Sequence, residues 1–340
     1  MTSSSAAATT TTLLLTLSLL LFLSLPAPSL SSKPLCHPQD RKILLQFKNS
    51  FTNPNPSLPS WNPNITTNCC EWYGVDCDLT TNRVTSLSIF STNLSGQIPA
   101  SIALLPSLQS LTLRKLPYLT GTIPAAIAKL SNLNMLRLSW TNLSGPVPSF
   151  LSQLKNLTFL DLAFNNLTGS IPVEFDRLPY LGAIHLDRNK LTGQIPDWKF
   201  QSGNAPDIYL SHNQLTGLVP KSFGYYNYST VDLSRNMLSG DLSFMFGSNK
   251  TVQALDFSRN SFEFDLSIVV FPASLTWLDL NHNKIFGSLP VGLTGLNFQL
   301  LNVSYNRLCG KIPAGGKLQS FDVTSYFHNR CLCGDPLPSC

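Results

Sequence analysis

The stretch FLDLAFNNLTGSIP, residues 159–172, decides the fold. Its aliphatic residues are Leu160, Leu162, Leu167 and Ile171, with Asn165 set among them and Gly169 and Pro172 closing the phrase. The pattern is neither a helical stripe nor a simple alternation. It recurs. Aligned on the last leucine, it returns at Leu94, Leu119, Leu143, Leu167, Leu191, Leu215, Leu238, Phe262, Ile285 and Leu308, always 23 to 25 residues apart. A fixed period of that length marks a solenoid.

Each position has a physical role. Leu160 and Leu162 share one face of a short strand, because side chains alternate with period two. Stacked coils then build a parallel sheet over one continuous core. Asn165 marks the turn off the strand. Its amide suits a buried ladder, with Asn189, Asn213, Asn236, Asn260, Asn283 and Asn306 in the same place. Gly169 permits a tight backbone, and Pro172 suits an extended stretch. Thr92 and Thr141 replace the asparagine in the first and third repeats. The second repeat has one extra residue, in LRKLPYLTG, so its turn must bulge. In the eighth, Phe264 stands where glycine is usual.

The fold expected is an α/β solenoid: a right-handed leucine-rich-repeat superhelix with a concave parallel sheet and ten repeats over residues 83–313. Caps are expected at 33–82 and 314–340, since a solenoid must cover its ends. Residues 40–51 read as an amphipathic capping helix with Ile43, Leu44 and Phe47 inward.

Charged residues make up 12% of the chain and the net charge is +5, with no basic run, which argues against nucleic acid. Residues 13–25 form a short apolar run followed by small and turn-forming residues. Residues 1–32 therefore read as a secretory signal peptide without a fixed cleavage site, the rival being an uncleaved anchor. No other segment has the length and apolarity for a membrane span.

Eight cysteines cluster at the two ends: Cys36, Cys69, Cys70 and Cys77, then Cys309, Cys331, Cys333 and Cys340. In an exported chain they imply disulfides. Pairing in sequence order within each cluster is preferred, though sequence alone does not prove it. Zinc is the rival, but no histidine sits at ligand spacing and no metal site is expected. Candidate N-glycan sites are Asn64, Asn93, Asn142, Asn156, Asn166, Asn227 and Asn249. Asn302 also heads a sequon but falls in an expected strand.

The repeat template resembles the plant-specific leucine-rich repeat. Longer phrases narrow the resemblance: LRLSWTNLSGPVPSFLSQLKNLTFLDL, PDIYLSHNQLTG, VDLSRNMLSGD, LDLNHNKI, and the segment 301–340. These resemble the polygalacturonase-inhibiting proteins of plants, over about residues 33–340. The resemblance implies a secreted cell-wall defence protein that binds endopolygalacturonases of fungi, with insect enzymes and pectin as further candidate partners. It also implies a monomer without cofactor or catalysis, and inhibitory determinants on the exposed concave strands.

Strand register predicts those displayed residues. The central column is Ser88, Thr112, Arg137, Asp161, His185, Tyr209, Asp232, Asp256, Asp279 and Asn302. A second column runs from Arg114 through Ser139, Ala163 and Asp187 to Ser304. A third includes Lys115, Trp140, Phe164, Arg188, Arg235, Arg259 and Tyr305. The leading side holds Met135, Phe159, Gly182, Asp207, Thr230, Gln253 and Trp277. Asp232, Asp256 and Asp279 are expected to form an acidic platform, with Trp140, Phe164, Tyr209 and Trp277 as anchors. Arg235 and Arg259 could instead neutralise the acids within the face. Catalysis by the aspartates is rejected, because the repeat explains their spacing and an open face offers no closed pocket to raise an acid's pKa. Two other readings remain: a soluble repeat module in signalling or development, and an ice-binding relative.

Overall fold

The computed structural model describes residues 35–200 and 205–340. The expected signal peptide lies outside the described residues. Ten short parallel strands, from Val84–Phe90 to Leu300–Asn302, pair in chain order, and Val75–Cys77 adds antiparallel to the first. The leucines of each L-x-L pair, such as Leu160 and Leu162, are fully buried.

Each coil leaves the sheet through a residue in the left-handed backbone region. From Ser91 to His328, eleven such residues have φ of 52° to 55°, among them Trp140, Phe164, Arg188, Arg235 and Tyr305. That conformation costs an L-residue roughly 1–2 kcal/mol. The asparagine that usually follows offsets it. Asn189 Nδ2 donates to the carbonyls of Leu162, Leu186 and Asp187 at 2.9, 3.1 and 3.3 Å, and its Oδ1 accepts the Leu167 N–H at 3.0 Å. The asparagine thus ties its own turn to the preceding coil. In the third repeat Thr141 gives part of this: its hydroxyl donates to Asn165 Oδ1.

The opposite side of each coil carries a second sheet, broken into pieces where the repeat is irregular. Gly96–Gln97 pairs with Leu119–Thr120; a six-stranded piece runs from Ser144–Pro146 to Ser261–Phe262; a third begins at Phe286–Gly287. The first break follows the extra residue of the second repeat, which pushes Tyr118 into solvent. The second follows Phe264. Gly169 at the matching place takes φ +76°, a conformation unfavourable for phenylalanine. Phe264 has no positive φ and turns its ring into the core beside Phe246. Pro172 ends the extended stretch at φ −64° and precedes the 3-10 turn Val173–Arg177.

Helix Pro38–Asn49 buries Ile43, Leu44 and Phe47 over the first coil. Its buried Asp40 pairs with Arg83 at 3.2 Å and accepts the Val84 N–H at 2.9 Å, tying cap to sheet. Disulfides join Cys36–Cys69, Cys70–Cys77, Cys309–Cys331 and Cys333–Cys340. The C-terminal segment contains an eleventh coil that the repeat alignment missed. Asn329 donates to Val303 and Tyr326 carbonyls at 3.1 and 2.7 Å and accepts the Leu308 N–H at 3.0 Å. The signal was Tyr305-Asn306 echoed 23 residues later by His328-Asn329. Among the described residues no helix is long and apolar enough to cross a membrane.

Candidate functional site

Strand pairing aligns Arg137, Asp161, His185, Tyr209, Asp232, Asp256, Asp279 and Asn302 in one column. Two residues of the leading side need correction. Register puts Ala183 opposite Phe159 and Asp207, and Ala254 opposite Thr230 and Trp277. Gly182 and Gln253 stand one residue earlier, at the sheet margin. The residue that shares the face is the one directly before the first inward aliphatic, Ile184 or Leu255.

Apart from the half-buried Arg114 and Asp187, most of the second column is not a display surface. Ser139, Ala163, Ser211, Ser234, Ser258, Asn281 and Ser304 are buried. The left-handed residue that follows turns the chain and roofs them over. Asp161 is likewise nearly buried, at 9% exposure. Its Oδ2 accepts from Ser139 Oγ and pairs with Arg137 Nε, both at 3.0 Å, and its Oδ1 accepts the Ala163 N–H at 3.0 Å.

The acidic strip is satisfied locally. Asp232 Oδ1 accepts from Ser234 N–H and Oγ, Asp256 Oδ1 from Ser258 N–H, and Asp279 Oδ1 from Asn281 N–H and Nδ2. Among the described residues, neither Arg235 nor Arg259 forms an ion pair with these acids within 4 Å. Burial above all, then repulsion from Asp232 and Asp279, pushes Asp256 up to about 6. Asp279 is raised chiefly by burial. Asp187 also reaches about 6 through burial, with Asp161 and Asp232 adding repulsion. The expectation that an open face could not raise an acid was therefore wrong: flanking strands desolvate these carboxyls without closing a pocket.

Aromatic rings of adjacent coils stack. Trp140 lies on Phe164 with centroids 3.5 Å apart, and His185 on Tyr209 at 4.1 Å. Arg188 caps the Phe164 ring at 4.9 Å, and Arg137 the Phe159 ring at 5.0 Å. Strand spacing of about 4.8 Å brings such rings face to face and leaves their edges to solvent. Trp277 stands apart from these stacks, 41% exposed.

The candidate glycan sites Asn64, Asn93, Asn142, Asn156, Asn227 and Asn249 are exposed and Asn166 is half-buried; none lies on a strand of the main sheet. Asn302 does lie there, its Oδ1 accepting from Ser304 N–H and Oγ at 3.1 and 2.7 Å.

The leucine rich repeat N-terminal domain model matches residues 37–78, and the leucine rich repeat model matches 156–178, 207–226 and 274–296. The polygalacturonase inhibitor of Vitis vinifera is 62% identical over 95% of this chain and 96% of its own length. The chain belongs to the polygalacturonase-inhibitor family. The Pyrus communis inhibitor is also 62% identical, over 94% of this chain and 96% of its own. Among solved structures, a plant ice-binding protein is 53% identical, with a TM-score of 0.87, covering 90% of this chain and 98% of that one. Like the inhibitors it matches, this family member has a non-catalytic repeat fold.

Proposed function

We propose that this chain is a secreted plant cell-wall protein that docks on microbial endopolygalacturonases through its concave sheet and inhibits them. Near-full-length identity of 62% to proteins named as polygalacturonase inhibitors carries the reading. The sheet is consistent with it. Three in-register carboxylates free of ion pairs suit a basic substrate-binding cleft, with Trp277 exposed beside them. Four disulfides suit the apoplast. The partner-binding set is Arg137, Trp140, Asp161, Phe164, His185, Asp207, Tyr209, Asp232, Asp256, Trp277 and Asp279, with Ala183 and Ala254 taking the places expected for Gly182 and Gln253. Asp161 acts from beneath, by holding Arg137. The test is reducing-end release from polygalacturonic acid by a panel of fungal polygalacturonases, with and without the purified chain. Undiminished release across the panel sinks the reading.

An ice-binding reading is favoured by the structural neighbour alone. The asparagine ladder is largely buried, so the repeating surface left is the set of exposed hydroxyls Ser144, Thr168, Thr192 and Thr216 on the second sheet, each offset by two residues from the next in strand register. Thermal hysteresis measurements test it.

A further inference from the structure

Besides the rim arginines Arg188, Arg235 and Arg259, the concave face carries charge in two places. The strip Asp232, Asp256 and Asp279 lies toward the C-terminal coils. On the N-terminal side a hollow of about 290 Å³ is lined by Arg114, Arg137, Trp140, Phe164, His185 and Asp187 over a floor of Asp161 and Ala163. Arg137 is committed: it pairs with Asp161 and stacks on Phe159. Arg114, one coil away, is not. Among the described residues its guanidinium forms no ion pair within 4 Å and no side-chain hydrogen bond. The stacked rings of Trp140 and Phe164 line the same hollow. The unpaired Arg114 guanidinium can take an anion there, since burial raises the Asp187 carboxyl in the same wall toward its neutral form, and a carboxylate fits the fork with two parallel hydrogen bonds.

We propose that this hollow is a carboxylate subsite, in which an acidic side chain of the docked polygalacturonase seats on Arg114. The proposal rests on the inhibitor reading. Glycoside hydrolases carry paired carboxylates at the scissile bond, so a blocked cleft offers such a group. An acidic segment of pectin shares the chemistry. It fits the face less well, because a polyanion crossing the strands would go on to meet Asp232 as well as Asp187 in the wall of the hollow, whereas one side chain meets Asp187 alone. Hollow and strip together give the face two poles, which admit a cleft of mixed charge in one orientation.

The experiment measures inhibition of one sensitive polygalacturonase by the wild-type chain, Arg114→Glu and Arg114→Gln, with folding checked by circular dichroism. Arg114→Gln guards against misfolding of the charge reversal. The expected result is an inhibition constant about tenfold or more higher for Arg114→Glu, with a smaller loss for Arg114→Gln. A wild-type chain that does not inhibit defeats the inhibitor reading itself. Wild-type inhibition left unchanged by both variants overturns the subsite alone. Calorimetry with trigalacturonate supplies the other arm. If the sugar binds the free inhibitor through Arg114 while both variants inhibit normally, the hollow belongs to pectin and the proposal falls.

Discussion

Trp140 and Phe164 lie face to face, their ring planes 14° apart, although each is held in a left-handed backbone conformation. Glycine would be easier for the backbone there, so side-chain contact retains these residues. A double-mutant cycle of Trp140→Ala and Phe164→Ala, read by thermal unfolding, should give a coupling of about 1 kcal/mol. Additive losses would show that the stack contributes nothing beyond its burial.

The asparagine ladder should be more sensitive. Asn189→Ala strands the Leu167 N–H and removes one of two donors from each of the Leu162, Leu186 and Asp187 carbonyls, which keep Asn165 Nδ2, Asn213 Nδ2 and the Phe164 N–H. Urea unfolding should register a loss of about 2 kcal/mol. Arg259→Gly, at a left-handed position with an exposed side chain, should change stability by less than about 1 kcal/mol.

Asp256 carries a pH prediction. Its folded pKa of about 6 lies above the ordinary carboxyl value of 3.8, so the folded state holds the proton more tightly. Its contribution is fully present below 3.8 and is lost as pH rises through 6. Asp256→Asn should therefore raise the melting temperature over wild type at pH 7 and leave it nearly unchanged at pH 4. An equal shift at both would contradict the assignment.

Charge reversal tests the strip. Asp232→Lys with Asp256→Lys should weaken inhibition while preserving the circular-dichroism spectrum, and should reduce the salt dependence of the association rate. Unchanged inhibition would remove these residues from the interface.

The solenoid was legible in the sequence because its determinants are local and repeated. Leu160, Leu162, Asn165 and Gly169 each answer to a core or backbone requirement that most coils restate, and even the breaks in the second sheet coincide with Phe264 and the extra residue near Tyr118. The eleventh coil escaped because Cys331 and Cys333 interrupt the apolar pattern, leaving only the Asn329 echo.

Column order was also readable, except for Gly182 and Gln253 on the leading side, since period two and the repeat spacing determine which side chains align. Exposure was not. Asp161 and Ser139 read as displayed residues, yet a left-handed turn one residue past Ser139 and Ala163 folds the rim over them. The pairing of Asp161 with Arg137, the stack of Trp140 on Phe164 and the unmatched Arg114 arise between coils about one strand spacing apart. Sequence by itself determined the coil and the residues that alternate across it. Only the tertiary structure decided which of those meet water, because burial and charge matching depend on neighbours more than twenty residues away along the chain.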